Sequence, residues 1–458
     1  MKKIISLSIL SLAASLTAQT TTDSASVQAV VPAPAPVVAQ IDTQALADLD
    51  LRVKVLERLR ENDVEERTAD KAKASKLDIS TKGFRFDDPK GEYFLKIGGL
   101  AQPTAQYFFN DSAKKLVNNY SLRRARLDVQ TGLGKGITFR LQSEFAPGTS
   151  AALLDAYVDL QPAPQYGLRV GRFTPPIGLE YTISAAKFSF LDVSFASNLV
   201  PVRDLGVQVQ GDIGEGALVY SVGIFNGTID GNRLDADLED EKEVVGRVWA
   251  TPFISQAPSA LSGISLGFGA SAGKQYSAPA SYKSTGRNKV FNYKSADTLQ
   301  GWQVRLVPQA AVFEGSFGLY GEFAIEKQGL RDSLNQNQGR LQNQAWEATA
   351  SYVITGEDAS LKGVSPSKPI NGSEDGIGAI EVVARIQQLA FDKDAFQTWA
   401  DSTKSVKSVL GIGGGVNWYA TKNIRFSGEY SLNKYKAGLK VGDRKTEHLV
   451  TATTTVSF

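Results

Sequence analysis

From Glu92 to Phe458 the chain repeats one pattern: apolar and polar residues alternate with a period of two, interrupted by turn residues. In Ser121–Thr131, Ala125, Leu127 and Val129 oppose Arg124, Arg126, Asp128 and Gln130. Ile137, Phe139 and Leu141 likewise oppose Thr138, Arg140 and Gln142; Ile424, Phe426 and Tyr430 oppose Arg425, Ser427 and Glu429. This periodicity means strands with one apolar and one wet face. A soluble antiparallel sheet would also satisfy it. Length favours a membrane: most segments run roughly nine to fifteen residues, against ~9–11 for a tilted bilayer crossing and a usual ~5–6. Aromatic residues such as Tyr107, Trp249, Trp302, Tyr352 and Trp418 gather at segment ends, where interfacial girdles belong. The expected fold is all-β, a transmembrane antiparallel β-barrel of about sixteen strands.

The strands fall near 92–109, 120–132, 136–146, 152–160, 166–173, 204–212, 216–226, 242–252, 263–275, 298–311, 315–326, 342–354, 377–390, 406–419, 422–434 and 444–458. Their connections alternate in length, as an up-and-down barrel requires. Short ones lie at Leu133–Gly136, Pro162–Pro164, Ile213–Glu215, Val312–Glu314 and Ala420–Thr421. Long ones lie at Thr174–Arg203, Gly227–Glu241, Tyr276–Asp297, Lys327–Leu341 and Phe391–Ser405. With the N-terminus periplasmic, the long ones face outward. Thr355–Gly376 breaks this parity, and the pattern offers no account of it. Val450, Ala452, Thr454, Val456 and Phe458 share one side of the last strand, which a barrel must pair with the first to leave no edge.

One long connection stands apart. After the strand Gly167–Phe173, Pro175 and Pro176 remove backbone donors and force the chain off the sheet. The loop then carries Tyr181, Ile183, Phe188, Phe190, Leu191, Val193 and Phe195, so it expects a packing surface. Following the fifth strand of such a barrel, it belongs inside the lumen as a constriction. Its apolar residues would face the wall, leaving Glu180, Lys187 and Arg203 toward the ion path.

Residues 1–18 read as a signal peptide: Lys2 and Lys3, an apolar Ile4–Leu16, and small residues before Gln19. Residues 19–40 form an Ala/Pro-rich spacer with an extended Pro32–Pro36 core. In 41–76, Gly and Pro vanish, and Leu46, Leu49, Val53 and Leu56 follow a 3-4-3 spacing, which reads as a periplasmic helix with a coiled-coil-like seam. The seam fades after Leu59, so a trimeric bundle and a solvated stalk both remain open. The barrel occupies 77–458, which places the protein in the outer membrane of a Gram-negative-type bacterium.

Charge is nearly balanced, 50 basic against 48 acidic residues, which argues against a nucleic-acid partner. Cysteine is absent and His448 is the single histidine, so neither a thiol nucleophile nor a positioned imidazole base is in view. No catalytic residue, metal site or cofactor is expected.

Several stretches are similar to the phosphate-selective porin O and P family. They are Tyr120–Leu127, with its three arginines; Gly171–Glu180; Asp204–Gln208; Gly223–Gly227; Val353–Glu357; and Gly414–Tyr419. Ile177 and Ile380 depart from aromatic residues common in the family. The resemblance spans about Phe84 to Phe458 and implies a sixteen-stranded homotrimeric outer-membrane porin with its third long loop inside. It also implies a long segment after the Thr355-Gly356-Glu357 motif. Function then rests on the lumen, whose charges select solutes. The candidates for anion contact are Arg124, Arg126, Arg140, Arg169, Arg305, Arg385 and Arg425, because a guanidinium binds oxyanions such as phosphate through a planar fork. Asp128, Asp155, Asp159, Glu144, Glu322, Glu347 and Glu429 face inward as well, so the same arginines serve equally as cross-strand ion pairs. A second reading is structural: a lipid-embedded barrel anchor whose residues 41–76 touch the periplasm or cell wall.

Overall fold

A computed structural model describes residues 43–109, 116–146, 148, 150–227, 240–256, 261–332, 334, 336–370, 376–401, 403–437 and 444–458, with backbone alone for 69–73. The expected signal peptide and spacer, residues 1–18 and 19–40, lie outside the described residues, as do 41 and 42. One compact unit contains the helix α1, Thr43–Lys73, whose described side chains are exposed on every face. The other, from Ala72 to Phe458, is the barrel. Among the described residues no helix is long and apolar enough to cross a membrane.

Sixteen antiparallel strands close on themselves. They are β1 Tyr93–Phe109, β2 Asn119–Leu133, β3 Ile137–Glu144, β4 Ala152–Ala163, β5 Tyr166–Phe173, β6 Asp204–Ile213, β7 Leu218–Phe225 and β8 Glu243–Ala250. The ring continues with β9 Ile264–Gln275, β10 Asp297–Glu314, β11 Phe317–Asp332, β12 Gln338–Val353, β13 Ala379–Ala390, β14 Val406–Tyr419, β15 Ile424–Ala437 and β16 Glu447–Ser457. Closure comes from β16 pairing with β1, His448 opposite Phe109 down to Ser457 opposite Leu100. Gly99 and Phe458 then exchange two backbone hydrogen bonds, at 3.0 and 3.1 Å. A small hairpin, Lys76–Ser80 with Gly83–Asp87, adds to the lower half of β1 through Phe84–Ile97 pairing.

The outer face keeps Leu127, Val170, Val209, Ile224, Leu266, Phe268, Ile412 and Val416 exposed, each above one-third of its surface. An apolar belt of this size suits lipid rather than water. Most connections keep the expected parity. Besides the long connection from 354 to 378, one departs: Lys327–Leu341, expected to be long, is short because β11 runs to Asp332 and β12 starts at Gln338. The apolar alternation stops there, but backbone pairing continues through Gln328–Leu341 and Arg331–Gln338. Pairing, unlike lipid contact, does not need an apolar face.

Candidate functional site

The Thr174–Arg203 loop lies within the barrel, tied to inward-facing side chains of strands far apart in the ring. Gly171 at its base has φ +134, and a Cβ there would lie 2.2 Å from the Ala156 carbonyl oxygen of β4, so this turn requires glycine. The loop makes three short 3-10 turns, at Glu180–Thr182, Ala185–Lys187 and Ala196–Leu199. Its apolar residues Ile177, Leu179, Phe188, Phe190, Leu191, Phe195 and Leu199 are buried. Phe195 and Phe190 rest over Gly411 and Gly413 of β14, where a Cβ would come within 3.0 and 3.2 Å of their rings.

Buried polar side chains of the wall fix the loop backbone. The Leu179 N–H donates to Glu322 at 2.8 Å, Leu191 N–H to Glu429 at 2.6 Å and Phe195 N–H to Gln387 at 2.7 Å. Arg124 donates to the Leu191 carbonyl, Arg425 to that of Phe188, both at 2.9 Å, and Gln309 to that of Ile177 at 2.7 Å. Arg385 reaches Glu180 Oε1 at 2.5 Å and the Asp192 carbonyl at 3.1 Å. Glu180 therefore turns away from the water path: it is 1% exposed and accepts Ser194 N–H and Ser197 Oγ–H as well.

Two further segments enter the lumen. The Tyr276–Ala296 connection folds inward as a hairpin, Tyr282–Lys283 against Lys289–Phe291, with Tyr282, Val290 and Phe291 fully buried. Its tip reaches Glu447 of β16 through Ser284 and Asn288, and Gln106 of β1 through Arg287. From the short-turn end, the long 354–378 segment packs Leu361 against the cluster around Leu179, and Gly363 lies against Lys187. These contacts brace the inserted loop. The inserted loop and the hairpin, together with Phe391, Phe396 and Trp399, make a hydrophobic core inside the barrel.

Water-accessible space remains along β1–β4. A cavity of about 320 Å³ is lined by Arg123, Arg124, Arg126, Arg203, Lys283 and Arg287, with Asp192 as its carboxylate. A second, of about 430 Å³, is lined by Lys82, Lys96, Arg126, Arg140, Lys187 and Lys422, with Asp128 as its carboxylate. Arg126 lines both. The expected candidates thus separate. Arg124, Arg126, Arg140, Lys187 and Arg203 line these spaces, while Arg169 pairs with Asp159 on β4 at 2.6 Å. Arg305 and Arg385 are buried in the wall, with Glu243 and Glu180 at 2.5 Å, and Arg425 is buried beneath Phe188. Pro175 and Pro176 are buried at the loop's root.

In three ion pairs beside the cavities the cation is the more exposed partner, whereas in Arg124–Asp192 the order is reversed, 5% against 14%. Side-chain exposure is 15% for Arg126 against 1% for Glu144, 15% for Arg203 against 8% for Asp155, and 30% for Arg140 against 18% for Asp128. In those three pairs the carboxylate lies behind and the guanidinium toward water. In the wall pairs both partners are at or below 3%.

Alternation missed Arg123, because strict period two would turn it to lipid. Between Ala101–Ala125 and Leu122–Pro103 the register slips by one residue on β2, so Arg123 and Arg124 both oppose Gln102. This bulge aims both guanidiniums inward. Adjacent arginines in an otherwise alternating strand were the available signal.

The sequence pattern of the family described as phosphate-selective porin O and P matches residues 99–458. No curated protein sequence matches the chain. Among solved structures, a loop L8 deletion mutant of OmpT, an outer membrane protein of Vibrio cholerae, aligns at TM-score 0.50 with 8% identity, covering 80% of this chain and 100% of that one. In-vitro folded OmpT in its trimer form aligns at 0.50 and 7%, again over 80% and 100%. The outer membrane channel DcaP of Acinetobacter baumannii aligns at 0.48 and 12%, over 81% and 98%. At such identities the likeness to OmpT, at TM-score 0.50, speaks to the fold alone.

Proposed function

The chain belongs to the phosphate-selective porin O and P family, and on that footing we propose that its pore prefers anions, oxyanions such as phosphate among them. As an outer-membrane porin it forms a water-filled channel for passive diffusion of small hydrophilic solutes. One observation carries the preference: beside the two cavities Arg126, Arg203 and Arg140 stand nearer to water than Glu144, Asp155 and Asp128. Pairing and anion contact therefore coexist in the same arginines. The carboxylate behind each guanidinium preserves its position, and the positive edge faces the path. Even a net gain of about 1 kcal/mol for anions over cations shifts permeability roughly fivefold. A reversal-potential measurement in planar bilayers under a potassium chloride gradient tests this. The expected sign is that of chloride, and a potassium-type sign would defeat the preference.

The preference has a favoured geometry for assembly. The seam residues Leu46, Leu49, Val53 and Leu56 of α1 are 47–65% exposed, which supports a homotrimer whose three helices cover one another on the periplasmic side. A Leu49→Cys variant should then crosslink between copies under mild oxidation. Uniformly uncrosslinked chains from intact barrels would speak for a solvated stalk.

A further inference from the structure

The inserted loop buries most of its apolar side chains, but not all of them. Tyr181, Ile183, Val193 and Val202 are only half-buried, and all four line the first cavity, of about 320 Å³. Apolar side chains scattered singly over a surface are ordinary; four gathered on one water-filled space are not. Their positions are fixed. Ile183 and Val193 pack on the cluster of Leu100, Ala185 and Phe188, and Tyr181 packs on the larger core. The backbone on either side of Val193 is tied as well: the Asp192 carbonyl accepts from Arg385, and the Ser194 N–H donates to Glu180. Val202 precedes Arg203, which holds Asp155 at 2.8 Å.

A rigid apolar surface beside water favours a solute that can cover it. An inorganic ion gains nothing from such a surface. The same cavity has six cationic side chains against one carboxylate, Asp192, so a negative group is accepted there. An apolar lining joined to a few charged groups that orient the ligand is the usual make-up of a small-molecule site. We infer that the first cavity is a subsite for small organic anions, an oxyanion head on an apolar body. The head meets the guanidiniums of Arg123, Arg126 and Arg287, and the body lies on Tyr181, Ile183, Val193 and Val202. The inference rests on the anion-preferring reading above and narrows the class of solute that reading favours.

The test records chloride current in planar bilayers while an alkylsulfonate is added, because sulfonates stay ionised and share one head. A methylene fully removed from water strengthens binding about fourfold, and one left half-wet about twofold. Butanesulfonate, with three methylenes more than methanesulfonate, should therefore half-block at a concentration about fivefold or more lower. Ile183→Thr with Val193→Thr should bring that ratio down to about twofold or less. Val202→Thr alone, from the far end of the loop, should lower the ratio about twofold and keeps the location testable if the double variant yields no channels. A butanesulfonate block within twofold of the methanesulfonate block in the unaltered protein overturns the inference. A large ratio that neither variant moves overturns it too, since the body then lies elsewhere. The two readings fail separately. A cation-type reversal potential in the unaltered protein defeats the anion reading and the inference with it; an anion-type potential with a flat sulfonate series defeats the inference alone.

Discussion

The two halves of the lumen are built from the same residues and use them in opposite ways. Along β8–β15, Arg305, Arg385, Glu180, Glu322 and Glu347 are covered by the inserted segments and nearly water-free. Along β1–β4, Arg123, Arg126, Arg140 and Arg203 border the cavities, each backed by a carboxylate. Chemistry does not distinguish an inward arginine of one half from one of the other; cover does. A guanidinium beneath a loop is a structural bond, and the same group beside water is, on the proposed reading, a selectivity element. On that reading, nearly equal numbers of inward acids and bases coexist with a positive path.

The largest effect that would test this division comes from the covered half. Arg385→Met leaves Glu180 and Glu347 buried without their cation, and Glu347 already has one oxygen lacking a hydrogen-bond partner. Removing one partner of such a pair costs about 3–5 kcal/mol. The expected outcome is a loosened loop, read as higher single-channel conductance, a weaker ion preference and a lower unfolding temperature. An unchanged conductance would mean that this ion pair does not hold the constriction.

In the wet half, Lys187→Gln with Lys422→Gln removes two charges bordering the second cavity and should leave unfolding unchanged. At an effective dielectric near 20, each ammonium acts on an ion about 8 Å away with about 2 kcal/mol before salt screening. The reversal potential should move toward zero, with the permeability ratio reduced roughly two- to fivefold. A potential that does not move places the path elsewhere.

A smaller effect should follow from pH. Burial, and then the charge of Arg425, hold the Lys187 ammonium below the usual lysine range. A lowered lysine pKa means that positive charge is lost earlier as pH rises. Anion preference should therefore decline on the alkaline side before ordinary lysines titrate, and Lys187→Gln should remove that part of the decline. A preference flat up to the ordinary lysine range would contradict the role given to Lys187.

Much of the barrel was legible because its signals are local. A period of two, turn residues and alternating connection lengths report directly on strands, and Pro175-Pro176 before an apolar run placed the inserted loop. What stayed hidden depends on distant partners. Glu180 was expected to face the path because the loop's apolar residues would take the wall, but Arg385, far along the chain, draws it there. Arg123 was hidden by a one-residue bulge that reverses its face. The hairpin carrying Lys283 and Arg287 read as an ordinary outer loop, since its apolar Tyr282, Val290 and Phe291 find partners only on Phe391 and neighbouring residues. The 354–378 segment breaks the parity rule, and the contact of its Leu361 with the inserted loop joins residues far apart in the chain.

The central claim is a positive potential along one side of the lumen, and the absence of cysteine allows it to be probed directly. Ala186 borders the second cavity beside Lys187. In an Ala186→Cys variant, modification rates by an anionic and a cationic thiol reagent of equal size can be compared with those at an exposed α1 site such as Leu51→Cys. The account predicts an anionic-to-cationic rate ratio about tenfold or more above that of the α1 control, a factor set by roughly 1.4 kcal/mol of local potential. A ratio equal to the control or below it would contradict a cationic path.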